Sequence, residues 1–292
     1  MRWTRGDRGN IEDLRGRGGL GGFGMRRGMP IGCGGLLLLL ILSWLTGADF
    51  LSLLSGGGAV TPPSASVPAG EAGEIATTPE EEHMVDMVDA VLEDAQQMWQ
   101  RLLGERYQPT RVRVFRDVVQ SACGTAESAS GPFYCPGDHR VYLDISFFNE
   151  LHRRFEAPGD FAQAYVIAHE LGHHVQNVLG IERRVRSLQQ SSRSEANQLS
   201  VRMELQADCF AGIWGHEASR EGRAAQGRVE LDSGDMEEGL QAASAIGDDR
   251  IQRKTTGRVV PDAFTHGSSE QRMTWFRRGL TTGSVDACNT FQ

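Results

Sequence analysis

Residues 161–180 read FAQAYVIAHELGHHVQNVLG, and this stretch decides the fold because its apolar residues recur at the spacing of a buried helix. Within it, His169 and His173 are four residues apart and therefore lie on one face of the predicted helix. Two imidazoles on one face can bind a single metal ion, with the Glu170 carboxylate beside it. The competing interpretation is an amphipathic helix that carries two incidental histidines. The HExxH spacing favours a metal-binding helix.

A second helical segment supplies candidates for a third ligand, which a catalytic zinc ion needs besides its open position. The extended pattern HExxHxxGxxH is excluded, because the chain has Gln176 and Leu179 where that pattern has glycine and histidine. The segment MELQADCFAGIWGHE instead carries Glu204 and Asp208 four residues apart. We predict Glu204 as the third ligand and Asp208 as the acceptor that orients a ligand histidine. The alternative is a solvated acidic helix face, which the apolar neighbours of the pair disfavour.

The rest of the body predicts an α+β fold with a mostly helical C-terminal half. Residues 80–103 have helical periodicity, and Thr78 with Glu81 forms the pattern of a capping box. Three short segments predict a small antiparallel sheet, and two further segments predict helices. The strand over 140–144 is expected to offer its edge to an extended peptide substrate. The predicted strands are 110–115, 133–135 and 140–144, and the helices are 161–178 and 194–217.

The N-terminal quarter predicts a membrane anchor. Residues 28–48 carry no charge and are rich in leucine, which is the length of one transmembrane helix. Arginines precede this run and Asp49 follows it, so the positive-inside rule places the N-terminus in the cytoplasm. The alternative is a cleaved signal peptide, but the run does not end in a small-x-small cleavage site. The predicted division is a cytoplasmic Arg/Gly-rich tail, a transmembrane anchor, a flexible linker and a catalytic body, at 1–27, 28–55, 56–79 and 80–292.

Charge and cysteine usage agree with an acidic body outside the cytoplasm. Residues 1–30 carry seven arginines against three acids, a net charge of +4, which leaves −12 on the remainder. An acidic body lacks the basic patch that nucleic-acid binding requires, so we expect no nucleic-acid partner. Four cysteines follow the apolar run, and they allow three pairings. We favour Cys123 with Cys135 and Cys209 with Cys288, as an oxidising compartment permits.

Together these segments resemble the bacterial family known as the Putative neutral zinc metallopeptidase family. The resemblance rests on AHELGHHVQ, ELQADCFAG, THGSSEQR and DACNTF, together with the Arg/Gly-rich start and the membrane segment, and it covers residues 1–292. It implies a zincin-like metallopeptidase domain with one Zn²⁺ per chain bound by His169, His173 and Glu204. It also implies that Glu170 is the catalytic carboxylate.

These residues predict a membrane-anchored enzyme that hydrolyses peptide bonds in a peptide or protein substrate, with Glu170 as general base toward zinc-activated water. His266 is a candidate oxyanion donor, because a similar His-to-Arg spacing, here His266 to Arg272, follows the ExxAD helix in membrane-linked zincins. The alternative for His266 is a turn histidine that satisfies local backbone. The alternative functions are a catalytically inactive zinc-binding adaptor and an envelope assembly or chaperone factor. Three other histidines are predicted not to be ligands, namely His139, His174 and His216.

Overall fold

The computed structural model describes residues 1–17, 77–127, 131–155 and 159–291. Within these ranges no helix is both long enough and apolar enough to cross a membrane. The predicted membrane segment 28–48 lies outside the described residues, as does nearly all of the predicted linker.

Helices dominate the C-terminal half, as the periodicity predicted. The first long helix, α1, spans Pro79–Leu103, and its N-terminus has the predicted capping box between Thr78 and Glu81. The HExxH stretch forms α3 over Asp160–Val178, and the Glu204 segment forms α5 over Ala196–Ala218. The other helices are α2 Ser146–Phe155, α4 Ile181–Ser191, α6 Asp235–Ala245, α7 Asp248–Thr256 and α8 Ser269–Thr282.

The main sheet is mixed, so the prediction of an antiparallel sheet is wrong for most of its pairs. The described strands are β1 Ile11–Asp13, β2 Arg111–Phe115, β3 Val118–Ser121, β4 Gly124–Glu127, β5 Phe133–Cys135 and β6 Arg140–Asp144. The main sheet has the order β1-β2-β6-β5. Strands β1 and β6 each pair with β2 in parallel, and only the β5–β6 pair of this sheet is antiparallel. The chain between β2 and β6 includes a separate hairpin, β3–β4, and this length allows the crossover that parallel pairing requires.

Residues 1–17 belong to the body, which differs from the predicted division into a tail and a body that begins at residue 80. Residues 1–17 form one compact unit with the described residues from 77 onward, and β1 is an edge strand of the main sheet. Three residues of mixed character do not show a strand pattern by themselves. Their pairing depends on contacts with β2, about a hundred residues later in the chain.

Close packing of three helices builds the region of the site. A Cβ atom added at Gly172 in α3 would lie 3.0 Å from the Ala207 carbonyl oxygen in α5. A Cβ atom at Gly212 in α5 or at Gly279 in α8 would overlap backbone of the facing helix. Because glycine has no side chain, α3, α5 and α8 approach at backbone distance.

Both favoured disulfides are present, which confirms the predicted pairing. Cys123–Cys135 joins the hairpin to β5, and Cys209–Cys288 joins α5 to the C-terminal segment. The second bridge connects residues 79 apart in the sequence, so it ties the C-terminal segment to the helix that carries Glu204.

Candidate metal centre

The structure brings His169, His173 and Glu204 together. Nε2 of His169 lies 3.2 Å from Oε2 of Glu204, and Nε2 of His173 lies 3.4 Å from its Oε1. One ligand atom from each of the three residues lies within 4.8 Å of the other two. The two imidazoles come from successive turns of α3, and the carboxylate comes from α5, which packs against α3 through Gly172.

These separations fit a single small ion. Zinc binds nitrogen and oxygen at about 2.0–2.1 Å in tetrahedral geometry, which places neighbouring ligand atoms about 3.3 Å apart. The separation from His169 Nε2 to Oε2 of Glu204 is 3.2 Å, and that from His173 Nε2 to Oε1 is 3.4 Å, so the two lie on either side of that value. Two imidazoles and one carboxylate also form a donor set that zinc uses in hydrolytic enzymes. The residues therefore fit the zinc ion that the sequence predicted.

Hydrogen bonds to the far ring nitrogens present both Nε2 atoms to the ion. Nδ1 of His169 donates to Oδ1 of Asp208 at 2.8 Å, as the sequence predicted for that carboxylate. Nδ1 of His173 donates to Oε1 of Gln176 at 2.9 Å. Such acceptors fix the tautomer and the orientation of a ligand histidine. This role of Gln176 was not predicted, although its spacing of three residues from His173 on one helix signals the contact.

Asp208 is at the centre of a buried network that the sequence did not predict in full. Arg272 of α8 donates from Nε to Oδ2 of Asp208 at 2.8 Å and from Nη2 to Oδ1 at 2.9 Å. The Tyr165 hydroxyl donates to the same Oδ1 at 2.5 Å. Burial alone would raise the pKa of Asp208, but the charges of Arg272 and His169 outweigh burial and lower it. The carboxylate therefore stays ionised although its side chain is fully buried.

Neighbouring carboxylates raise the pKa of both candidate ligand histidines. Burial favours neutral His169, but the Asp208 carboxylate outweighs burial and raises the pKa of His169 to about 9. The Glu204 carboxylate likewise raises the pKa of His173 against the effect of burial. Burial opposes ionisation of Glu204 too, yet the two imidazoles hold its pKa well below the usual range. A metal ion has to displace protons from the two imidazoles, so metal affinity decreases as the pH falls.

Glu170 faces the same site. Its side chain is buried and interacts electrostatically with His173, but no hydrogen bond joins its carboxylate to any residue in the described ranges. The carboxylate lines a cleft of about 700 Å³ together with the three metal-binding candidates. A carboxylate in a cleft is available to accept a proton from a bound molecule. The cleft is also lined by Phe133, Tyr134, Val166, Glu182, Arg186, Met203, Ile246, Ile251, His266 and Arg272.

His266 lines this cleft, and Asp248 holds its ring. Oδ1 of Asp248 lies 3.2 Å from Nδ1 of His266, while Oδ2 accepts the backbone N–H groups of residues 265, 266 and 267. The hydrogen bond to Asp248 raises the pKa of His266. Because Nδ1 faces Asp248, Nε2 is the ring nitrogen that remains to interact with a bound molecule. Asp248 was missed in the sequence, because 18 residues and a helix separate it from His266 and leave no local spacing signal.

The three histidines predicted not to be ligands lie outside the metal-binding group within the described residues. His174 is buried, where Nε2 donates to the Gln108 carbonyl oxygen at 2.6 Å and Nδ1 lies 3.1 Å from the Tyr134 hydroxyl. His216 bonds to the Leu280 carbonyl oxygen, and His139 lies near the Tyr134 hydroxyl.

A helix with an HExxH motif, packed on a small sheet and joined by a glutamate from a second helix, is the arrangement of zincin-type metalloproteins. The chain belongs to the family described as Putative neutral zinc metallopeptidase, whose model matches residues 1–291.

Two groups of relatives are similar to the chain. Uncharacterized protein YpfJ of Escherichia coli strain K12 is 44% identical over 301 residues, which cover 100% of this chain and 99% of that protein. Uncharacterized protein Rv2575 of Mycobacterium tuberculosis strain H37Rv is 45% identical over 198 residues, which cover 66% of each chain. No solved structure matches the chain.

Proposed function

We propose that this protein is a zinc-dependent endopeptidase with Glu170 as its general base. One observation carries the proposal. His169, His173 and Glu204 offer donor atoms at the separations of a single zinc ion, and the Glu170 carboxylate shares their cleft. A site for metal storage or structure has no use for a free carboxylate beside an open cleft, whereas hydrolysis requires one.

The chain's own residues have distinct roles in this reaction. A bound zinc ion would supply a Lewis acid that polarises the scissile carbonyl and acidifies water. Glu170 accepts the proton of the attacking water and returns it to the leaving amine. His266 donates a hydrogen bond to the oxygen on which negative charge develops, because Asp248 engages Nδ1 and leaves Nε2 as the donor in a residue that lines the cleft. Asp208 keeps the His169 ring in the tautomer that leaves Nε2 free for the metal.

The edge of the main sheet that could receive an extended substrate is β5, not β6. The prediction that residues 140–144 offer this edge is wrong, because β6 lies between β2 and β5. Within the described residues β5 pairs only with β6, and its Phe133 and Tyr134 line the cleft. A peptide that adds to β5 would be bound by main-chain hydrogen bonds and would pass along the metal site. This placement supports a peptide or protein as the substrate.

We place the catalytic unit outside the cytoplasm, next to a membrane. Its two disulfides support the first part, since cytoplasmic proteins rarely keep such bridges. The uncharged run 28–48 supports the second part.

Comparison of two glutamine variants tests the enzymatic proposal. The full chain is loaded with zinc, its metal content is measured, and cleavage of a mixed peptide library is followed by mass spectrometry. Glu170→Gln keeps the shape of the side chain, so zinc is retained while kcat/KM falls by about 10²–10⁴-fold. Glu182→Gln is the matched control, because Glu182 lines the same cleft but pairs with Arg186 on α4. It should retain nearly full activity.

Two outcomes would overturn the proposal. Equal cleavage by the wild type and Glu170→Gln, with zinc bound to both, removes Glu170 from the chemistry. Zinc binding without cleavage of any library peptide favours the adaptor or assembly-factor alternative, whose cellular phenotype would be insensitive to Glu170→Gln.

A further inference from the structure

A row of acidic residues on α1 faces the N-terminal segment. Glu82, Asp86, Asp89 and Glu93 follow one another at spacings of four, three and four residues, so they share one face of the helix. Asp86 and Asp89 are buried, with 7% and 1% of their surface exposed. Buried carboxylates require partners, because desolvation of an unpaired charge is costly.

The partners come from residues 8–10. Nε of Arg8 donates to Oδ1 of Asp86 at 2.6 Å. The backbone N–H groups of Arg8 and Asn10 donate to the two oxygens of Asp89 at 2.9 and 3.3 Å. The Asn10 side chain donates to Glu93 at 2.8 Å. The N-terminal segment therefore satisfies both buried carboxylates of the row.

The next residues enter the sheet. Ile11, Glu12 and Asp13 pair in parallel with residues 112–114 of β2. The Glu12 carboxylate accepts from Arg113 of β2 at 2.6 Å and from Arg140 of β6 at 2.9 Å, so it bridges two strands of the body. These contacts are as extensive as those of the other edge strand, β5.

Residues 15 and 77 contact the same carboxylate on α1. Arg15 is buried and donates to the Glu82 carboxylate at 2.8 Å. Thr77, where the described chain resumes, hydrogen-bonds to the same carboxylate. Glu82 thus joins residues 15 and 77, which lie far apart in the sequence, at one point of the body.

We infer that residues 1–17 are an integral part of the catalytic unit and lie on the same side of the membrane as that unit. A single crossing between residues 17 and 77 would separate Arg8 from Asp86 by a hydrocarbon layer about 30 Å thick. Asp86 and Asp89 would then remain buried without partners. The positive-inside rule counted arginines as free cytoplasmic charges, yet Arg8 and Arg15 are ion-pair partners of the body.

Labelling of single thiols tests the sidedness. In a Cys33→Ser background, Thr4→Cys places a thiol on the exposed surface of the N-terminal segment, and Leu188→Cys places one on the exposed surface of α4. Cells that produce the full chain are treated with a membrane-impermeant maleimide, before and after permeabilisation. We expect the two variants to label equally under both conditions. Labelling of Leu188→Cys in unpermeabilised cells, with Thr4→Cys labelled only after permeabilisation, would overturn the inference.

A cross-link tests the pairing itself. Glu12 and Arg113 are partners across β1 and β2, so Glu12→Cys with Arg113→Cys brings two thiols together on one face of the sheet. Ile11→Cys with Arg113→Cys is the matched control, because a shift of one residue moves the thiol to the opposite face. Intact cells are first oxidised briefly, and the remaining free thiols are then blocked with a permeant maleimide. Peptides are mapped by mass spectrometry without reduction. We expect a disulfide between the two introduced thiols in the first variant and only background cross-linking in the control. Two maleimide-blocked thiols in the first variant would refute the pairing, provided that the native Cys123–Cys135 disulfide is intact in the same sample.

Discussion

Removal of the Asp208 carboxylate separates what stabilises the fold from what positions the metal. Asp208→Leu takes the acceptor from Nδ1 of His169 and leaves the Arg272 guanidinium buried without its charge partner. Arg272→Met removes the guanidinium from the buried carboxylate, but the hydrogen bonds from His169 and Tyr165 remain. The double variant replaces the whole ion pair with apolar groups.

The expected magnitudes differ for stability and for metal binding. Loss of one partner of a buried ion pair costs about 3–5 kcal/mol, whereas apolar replacement of both partners is often nearly neutral. We therefore expect both single variants to lose about 3–5 kcal/mol of unfolding free energy, and the double variant to regain most of that loss. Loss of the partner of a ligand histidine weakens metal binding by about 10–100-fold, which corresponds to about 1.4–2.7 kcal/mol. Asp208→Leu and the double variant should show this weakening equally, and Arg272→Met should show less.

Two measurements on the four proteins check this reasoning. Urea unfolding in the presence of a chelator gives the stability of the metal-free fold, and competition with a zinc indicator gives the zinc affinity. Recovery of zinc affinity in the double variant would show that the stranded guanidinium, rather than the lost acceptor, weakens metal binding. Equal loss of affinity in Arg272→Met and Asp208→Leu would refute the role assigned to the hydrogen bond between His169 and Asp208.

Three further substitutions have defined outcomes. Gly279→Ala places a Cβ atom against the Cys209 carbonyl oxygen, so α8 has to move. Such overpacking should lower the unfolding free energy by about 1–3 kcal/mol or more, and an unchanged urea midpoint would contradict this prediction. Asp248→Asn removes the partner that raises the pKa of His266. A raised folded-state pKa favours protonated His266 and contributes stability below the ordinary value of 6.5, and this contribution is lost as pH rises through the folded pKa. The alkaline limb of kcat/KM should therefore move to lower pH in Asp248→Asn, and an unmoved limb would exclude His266 as the titrating donor. Cys288→Ser opens a loop with a sequence separation of 79 and should lower the unfolding free energy by about 4–5 kcal/mol. Equal stability of the reduced and the oxidised wild type would contradict this prediction.

The parts of the fold that the sequence predicted depend on local spacing. The helix of α3 follows from its apolar periodicity, and the start of α1 follows from a capping box between Thr78 and Glu81, three residues apart. Strands β5 and β6 were predicted with their observed bounds because a Pro-Gly turn segment separates two β-prone runs. In each case the interactions that determine the element lie within one turn or one hairpin.

The parts that were missed depend on contacts distant in the chain. No local pattern tells whether β2 and β6 pair in parallel or antiparallel, since that depends on where the intervening hairpin packs. The ion pairs that Arg8 and Arg15 form with α1 were also missed, because an arginine-rich composition does not show which acids the arginines contact. Arg8 and Asp86 are 78 residues apart, so their contact is visible only in the folded chain.

The third ligand depends on helix packing more than on the HExxH motif. The motif brings His169 and His173 to one face of α3, but Glu204 joins them only if α5 lies close to α3. Gly172, inside the motif, favours that closeness, because a Cβ atom there would lie 3.0 Å from the Ala207 carbonyl oxygen. A methyl group at this position forces α5 away by a few tenths of an ångström, unless the neighbouring backbone gives way. The donor separations of 3.2 and 3.4 Å already match a zinc ion, so any such shift lengthens them and weakens the Glu204 bond first. In this chain, the small residue between the two histidines therefore favours the approach of Glu204 to the metal site.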